Sequence, residues 1–363
     1  MKKITQHKKI LFLFPYPSGT AGSQRFRFEQ YLGFLEEAGF CYSLRPFLDE
    51  ATWQILYKNG YTIKKVKGII KGFLKRFFLL FTIAKYDYIF LHREATPLGY
   101  PWLEFWITKV WKKKLIYDFD DAIWLPNTSE QNKWVAWLKY HQKVALICKW
   151  AYKISAGNNY LAQYAKQFND KVFVNPTTID TENWHNPVLV NREKRIKPII
   201  GWTGTHSTIP YLDFLLPILR NLATKKDFTF LVISDKKPDF SLSNLEFITW
   251  NKDTEIQDLA KMDIGVMPLE DDPWAKGKCG FKALQYMAMG IIPVVSPVGV
   301  NTEIVKNGEN GFLTEREEEW SNILEKLLNE DSLRQTLGQN ARETVKKSYS
   351  VSSNQTNFLG FFA

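Results

Sequence analysis

Asp263-Ile-Gly-Val-Met-Pro-Leu269, Lys276-Gly-Lys-Cys-Gly-Phe-Lys-Ala-Leu-Gln-Tyr-Met-Ala-Met-Gly290 and Pro293-Val-Val-Ser-Pro-Val-Gly299 follow one another closely. They read as a buried strand over Ile264 to Met267, a loop rich in lysine and glycine, a helix from Phe281 to Met289 stopped by Gly290, and a strand from Ile291 to Val295. Two short apolar runs joined by a helix predict parallel strands with a right-handed crossover.

The same rhythm extends outward. Pro198-Ile-Ile200 predicts a strand that enters Gly201-Trp-Thr-Gly204, with a helix from about Ile209. Phe228 to Ile233 and Leu245 to Thr249 predict further strands, and Glu319 to Leu328 and Ser332 to Ser348 closing helices. In the N-terminal half, Lys9 to Phe14 is an apolar run closed by Pro15 and Pro17, then a turn over Ser18 to Ser23. Phe26, Phe28, Tyr31, Leu32 and Leu35 then recur at helical spacing up to Gly39. Tyr88 to Leu91 ends in His92-Arg93-Glu94, and Lys114 to Tyr117 in Asp118-Phe-Asp-Asp121. Tyr152 to Ser155 leads into Ala156-Gly-Asn-Asn159 and a helix, and Lys171 to Val174 ends in Asn175-Pro176. His185 to Lys197, with Asn186-Pro187 and the charged run Asn191-Arg-Glu-Lys-Arg195, interrupts the alternation. The expected class is α/β, two doubly wound Rossmann-like domains facing across a cleft: 1–185, a linker 186–197, and 198–348. In such sheets ligands bind at the carboxyl ends of the strands.

Composition narrows the classes. The 363 residues favour two domains, and 45% hydrophobic with 24% charged residues argues against disorder. No apolar stretch is long enough to cross a bilayer. Met1 to Leu13 lacks an apolar region followed by a cleavage site, so no secretory signal is expected. Three cysteines, none in a C-x-x-C pair, exclude a disulfide framework or a cysteine zinc cluster and suit a reducing cytosol. The net charge of +10 is uneven: residues 1–180 carry 27 Lys+Arg against 14 Asp+Glu, and residues 181–363 carry 21 against 24. An anionic surface met by the N-terminal half alone is the expectation.

The 263–299 block, with Asn310-Gly-Phe-Leu313, resembles the donor domain of GT-B glycosyltransferases, family 4 type (glycosyl transferases group 1). Gly201-Trp-Thr-Gly204 stands where that family has the first glycine loop of its C-terminal domain. Val172 to Asp180 resembles the stretch closing the N-terminal domain, and Ser18 to Ser23 the first glycine loop. The resemblance implies a GT-B fold with an acceptor-binding N-terminal domain and a nucleotide-sugar-binding C-terminal domain. It implies that 349–363 packs back on the former. One departure stands out. The family carries Glu-x7-Glu, whereas this chain has Gly277 at the first position and Gln285 at the second, within Lys-Cys-Gly-Phe-Lys…Gln-Tyr-Met.

The donor site can also be argued from the residues. A helix beginning near Phe281 offers amide hydrogens and a positive dipole end, and Lys276, Lys278 and Lys282 surround it. Gly277 and Gly280 allow close backbone approach. Gly204, Thr205, Lys278, Cys279, Gly280 and Lys282 are the expected diphosphate ligands; the alternative is a solvated lysine cluster on an ordinary helix start. The resemblance further implies Gln285 on the ribose, Trp250 and Asn251 near the base, and, with the first glutamate absent, Asp271 and Asp272 at the donor sugar.

The acceptor side is less defined. Asp118, Asp120 and His92 are candidate catalytic residues, and Gly22, Arg25, Arg27 and Arg93 candidate acceptor ligands. The Asp118–Asp121 cluster admits three readings: a divalent-cation site, an acceptor-orienting group, or a turn cap. His92 admits a catalytic and a structural reading. The resemblance implies a retaining reaction with no obligatory metal or other cofactor, in which the leaving phosphate oxygen takes the acceptor proton.

From Tyr61 to Lys85, apolar residues at Val66, Ile69, Ile70, Phe73, Leu74, Phe77, Phe78 and Phe81 follow helical spacing among lysines. No acidic residue occurs between Glu50 and Asp87. This suits an anionic membrane surface, or else a helix packed on the sheet. Pro101 to Lys114 offers similar material. The expected protein is a cytoplasmic glycosyltransferase, peripheral on the inner face of the membrane. It would transfer a hexose-type sugar from a nucleotide-diphosphate sugar to a lipid-linked, polysaccharide or glycan acceptor. A nucleotide-sugar epimerase and a non-catalytic nucleotide-sugar-binding protein are the alternatives. Nucleic-acid binding would leave the strand-end motifs unexplained.

Overall fold

A computed structural model describes residues 7–58, 60–126, 139–191 and 196–363. The first six residues of the basic N-terminus and 192–195 of the expected linker lie outside the described residues. The chain divides into two compact units, Met1–Thr177 with Gln355–Ala363, and Thr178–Asn354.

The first unit holds a six-stranded parallel sheet: β1 (Lys9–Phe14), β2 (Cys41–Pro46), β3 (Tyr88–His92), β4 (Lys114–Phe119), β5 (Lys153–Ala156) and β6 (Val172–Val174). Its order, β2-β1-β3-β4-β5-β6, reverses direction between β1 and β3. Such a reversal is where a doubly wound sheet opens a crevice for ligands. Register sets His92 opposite Asp118, and Asp118 opposite Ser155, so three polar residues lie in one row across the ends of β3, β4 and β5.

The second unit holds β7 (Ile199–Gly204), β8 (Thr229–Ser234), β9 (Leu245–Thr249), β10 (Ile264–Met267), β11 (Ile292–Val295) and β12 (Phe312–Leu313), also all parallel. The order β12-β11-β10-β7-β8-β9 places the reversal between β7 and β10. Its core includes Ile200, Trp202, Phe230, Val232, Val266 and Trp320.

Three features differ from expectation. Residues 178–185, expected in the first domain, belong to the second unit. Ile179 donates to the Tyr349 carbonyl (2.9 Å), and the Arg342 guanidinium donates to the carbonyls of Thr181 (3.2 Å) and His185 (3.1 Å). The division therefore falls at Thr177/Thr178 rather than after residue 185. The C-terminus crosses to the first unit only from Gln355: Phe358 stacks on Tyr31 at 4.4 Å, and Lys153 Nζ donates to the Gly360 carbonyl at 2.8 Å. The helix expected over 26–38 is broken into Gly22–Arg25, a 3-10 turn Glu29–Tyr31, and Leu32–Glu37. The break leaves Arg27 between helices, with its guanidinium buried.

The basic amphipathic segment forms the helix Thr62–Leu79. Its buried residues are Gly72, Arg76 and Leu79. A Cβ at Gly68 would stand 2.2 Å from Thr52 Oγ1, and one at Gly72 2.6 Å from the Phe47 ring, so this face lies close against its support. The aliphatic and aromatic stripe faces solvent: Ile63 is 73%, Phe78 63% and Phe81 71% exposed.

Candidate functional site

In the second unit, the ends of β7 and β10 and the start of the helix Phe281–Ala288 form the candidate donor site. Tyr286 fastens helix to sheet: its hydroxyl accepts from Thr203 N (3.0 Å) and donates to the Val266 carbonyl (3.3 Å). Gly265 makes room for the Tyr286 ring, to which a Cβ would stand 2.4 Å away. Gly280 caps the helix at φ +66°, where a Cβ would also strike Ile304. The first helical bond runs from Leu284 N to the Gly280 carbonyl (3.0 Å), leaving the amides of Lys282 and Ala283 outside the ladder.

Two ammonium groups meet aromatic faces here. Lys282 Nζ lies 5.2 Å from the Trp202 ring centre. Lys278 Nζ lies 5.9 Å from the Tyr211 ring and 6.0 Å from the Trp274 ring. Burial, reinforced by the Lys278 charge, pulls the Lys282 ammonium down to about 7. An anion bound beside it would reverse that shift. The tryptophans and Tyr211 were not singled out from sequence, although Trp202 lies within the Gly201–Gly204 motif. Thr205 opens the 3-10 helix His206–Leu212, with its hydroxyl 2.9 Å from that of Ser207. Gly204 accommodates the Trp202 ring, which a Cβ would approach to 2.5 Å. Cys279 is buried beside Gly280.

One other donor expectation is corrected. Gln285 is only 2% exposed; its amide donates to Glu255 Oε1 (3.2 Å) and lies 3.1 Å from His185 Nε2, so it is held within a buried network rather than presented to a ribose. Asp272 caps the short helix Pro273–Lys276, one carboxylate oxygen accepting from Ala275 N (2.7 Å). Asp271 pairs with Lys276 at 3.0 Å. Trp250 and Asn251 follow β9, the edge strand, two strands from the β7/β10 reversal. Trp250 packs against the apolar cluster of Ile233 and Ile256, and Asn251 accepts from Asp253 N (2.9 Å).

In the first unit, Asp118 is fully buried and accepts from His92 Nδ1 (2.7 Å), Ser155 Oγ (2.5 Å) and the Arg27 guanidinium. Arg27 also reaches Ser155 Oγ (3.2 Å) and the Asn175 carbonyl. Burial opposes the Asp118 charge, but Arg27 and His92 outweigh it and hold its carboxyl below the usual range. Asp118 and Arg27 are thus corrected: each is committed inside the protein, and neither offers a side chain to an acceptor. Ser155 and Asn175 complete this network and were not anticipated; the strand register that aligns Ser155 with Asp118 has no local sequence signature. His92 is equally buried, and its Nε2 has no partner among the described residues.

Above this layer Arg93, at φ +60°, binds Asp120 (2.8 Å) and Asp121 (2.5 Å), all three partly accessible. Arg93 thereby occupies both carboxylates, which changes the case for a cation at this cluster. Among the described residues no group of three or more His, Cys, Asp or Glu is placed to hold a metal ion. Arg25 lies over the Phe26 ring at 4.9 Å. Gly22 opens the helix after the first loop, where Gly19 N donates to Glu29 (2.9 Å).

The two reversed parallel sheets and their strand-end loops define a GT-B α/β protein. Residues 240–344 match the family described as Glycosyl transferases group 1. An uncharacterised glycosyltransferase of Methanocaldococcus jannaschii is 28% identical over 231 residues, covering 58% of this chain and 63% of the relative. Among solved structures, a glycosyltransferase from Rickettsia africae superposes with a TM-score of 0.69 at 15% identity, covering 98% of each chain. Anabaena HepE in complex with UDP-glucose superposes with a TM-score of 0.66 at 16% identity, covering 98% of this chain and 99% of the other. These two solved structures share the fold, and the chain spans 63% of the length of the archaeal relative.

Proposed function

We propose that this protein is a retaining glycosyltransferase of the family 4 type. It transfers a hexose-type sugar from a nucleotide-diphosphate sugar to a hydroxyl of a lipid-linked, polysaccharide or glycan acceptor. The observation that carries this reading is the pairing of Lys278 and Lys282 with Trp202, Tyr211 and Trp274 at the reversal of the second sheet. Ammonium groups of like charge brought together on a helix start suit a diphosphate. HepE, with the same fold, is seen with UDP-glucose, which supports the donor class.

In the reaction, the bond from the anomeric carbon to the donor phosphate oxygen breaks and one to the acceptor oxygen forms. The acceptor proton passes to the leaving phosphate. Charge gathers on the departing diphosphate, where Lys278, Lys282 and the first-turn amides stabilise it. The Lys-Cys-Gly-Phe-Lys…Gln-Tyr-Met sequence marks a subgroup in which the donor sugar is read without the first glutamate. The exposed stripe of the 62–79 helix, with Lys64, Lys67, Lys71 and Lys75 beside it, supports a peripheral position on an anionic membrane, at its inner face. Among the described residues no helix is long and apolar enough to cross one.

The test is titration calorimetry with UDP, GDP and ADP on the wild type and on Lys278→Ala/Lys282→Ala. Binding of one nucleotide, lost in the variant, is expected; equal binding by both proteins removes the phosphate assignment. Incubation with nucleotide sugars alone separates transfer from epimerisation, since only an epimerase turns over without an acceptor.

A further inference from the structure

Two elements of the first unit turn bulky apolar residues to solvent. One is the Thr62–Leu79 helix. The other is Trp102–Phe105 with its π-helical continuation Trp106–Val110, where Phe105, Trp106, Val110 and Trp111 are exposed beside Lys109 and Lys112. The two elements are neighbours, since Lys113 Nζ donates to the Ala84 carbonyl (2.7 Å) just beyond the first helix.

Their inner faces converge on one peptide. Ala95 follows His92-Arg93-Glu94 at the end of β3. Its carbonyl accepts from Arg76 Nε (2.9 Å), on the first helix, and its N–H donates to Glu104 Oε1 (3.1 Å), on the second element. Arg76 also donates to the carbonyls of Arg45 (3.0 Å) and Phe14 (3.2 Å), at the ends of β2 and β1. On the other side Lys143 donates to the Thr96 carbonyl (2.9 Å) and pairs with Glu94 (2.5 Å).

Arg76 and Glu104 are each 1% exposed. Burial lowers the Arg76 guanidinium to about 9 and raises the Glu104 carboxyl. A leucine at 76 would pack against Phe47 at no such cost. What the charged pair adds is a grip on the loop that carries Arg93, from the two elements whose outer faces suit a lipid surface.

We infer that docking of these two faces on an anionic lipid bilayer fixes the backbone of residues 93–96, with Arg76 and Glu104 as positioning residues. This rests on the peripheral-membrane reading above. Charge complementarity commits the occupant: the apolar stripes are edged by exposed lysines in a segment without an acidic residue from 51 to 86. Arg76 contributes a planar fork that reaches three carbonyls in separate segments, which a lysine ammonium cannot reproduce.

The test is hydrogen exchange on the full chain with and without phosphatidylglycerol/phosphatidylcholine vesicles, alongside cosedimentation. In the wild type, vesicles are expected to slow exchange in the peptide over 92–98 by about tenfold, because docking suppresses local opening. Arg76→Lys is expected to cosediment as the wild type does but to show the same exchange with and without vesicles. Should Arg76→Lys fail to fold, Glu104→Met, which keeps the volume and removes the Ala95 acceptor, is read the same way. Phe77→Ser/Phe78→Ser/Phe81→Ser, all at exposed positions, is expected to lose cosedimentation and vesicle-induced protection together. Wild-type cosedimentation without slower exchange at 92–98 overturns the coupling and leaves membrane docking intact. Absence of wild-type cosedimentation overturns both. Vesicle-induced protection that survives in Arg76→Lys removes the positioning role.

Discussion

The two sheets reverse in the same manner yet charge their strand ends in opposite ways. At the β1/β3 reversal and its neighbours, cations and carboxylates neutralise one another: Arg27 on Asp118, and Arg93 on Asp120 and Asp121. At the β7/β10 reversal, Lys278 and Lys282 lie over tryptophan and tyrosine faces, and no carboxylate pairs with Lys282 among the described residues. A self-neutralised surface suits a ligand read through hydroxyls. A surface where two ammonium groups gather suits an anion. The contrast fits the proposed reaction, with a diphosphate held by the second unit and a hydroxyl acceptor by the first.

The strongest way to break this comparison is to remove a charge from each side. Asp118→Asn leaves the Arg27 guanidinium buried without its counter-ion and should cost about 3 kcal/mol or more in urea unfolding. Because the Asp118 carboxyl is held below its usual range, its contribution is present above the ordinary carboxylate pKa and is lost as pH falls below it. The acid limb of the wild-type stability curve should therefore flatten in Asp118→Asn. Lys282→Ala should behave in the opposite sense, leaving stability unchanged or raised, since it relieves like-charge repulsion. A loss comparable to that of Asp118→Asn would show Lys282 to be structural.

Next in size is nucleotide binding. Lys278→Ala/Lys282→Ala should weaken the bound nucleoside diphosphate by about 100-fold, two charge-assisted contacts at roughly 1.5 kcal/mol each. Asp120→Asn in the first unit should leave that affinity unchanged.

A smaller effect sharpens the same point through pH. With Lys282 near 7 in the free protein, an anion that binds its charged form must draw in a proton above that pH. Between about pH 7.5 and 9, affinity should fall by up to about tenfold per unit, and calorimetry in buffers of different ionisation enthalpy should register proton uptake. The ligand-free protein should gain stability over the same range, since the unfolded chain, with an ordinary lysine, binds more protons there. Affinity that stays flat would place the diphosphate away from Lys282.

Most of the sheet architecture was legible because its strands are short apolar runs closed by polar or glycine-rich turns. The exceptions are edge strands. β2, Cys41–Pro46, is half exposed and contains Arg45 and Pro46, and β12 has only two residues. Neither has the continuous apolar run of a strand covered on both faces. The gathering of lysines and glycines at a helix start around 276–282 was legible since it is local. Residues that act through long-range register were not: nothing in the sequence near Ser155, Asn175, Glu255 or His185 tells that they meet Asp118 or Gln285. Arg76 was hidden within a helix whose apolar periodicity marks the face turned to solvent; the inner face is made by Gly68, Gly72, Arg76 and Leu79, which form no apolar stripe.

The carboxylates beside the lysines test the limit of that legibility. Gly277 stands where the resembling family has its first glutamate, which made Asp271 and Asp272 candidates for the donor sugar. In the structure, Asp272 accepts the Ala275 amide at the start of Pro273–Lys276. Loss of an N-cap carboxylate costs about 1 kcal/mol, and serine restores most of it. If capping is the whole role, Asp272→Ala should lower stability by about that amount, Asp272→Ser should recover it, and donor KM should follow stability rather than the identity of the side chain. If the carboxylate also holds the sugar, Asp272→Ser should restore the fold but leave donor KM raised several-fold, a split that thermal unfolding and initial rates on the same two variants resolve. The second outcome would return a negative charge to the edge of the lysine pocket, so that the contrast with the first sheet becomes one of degree.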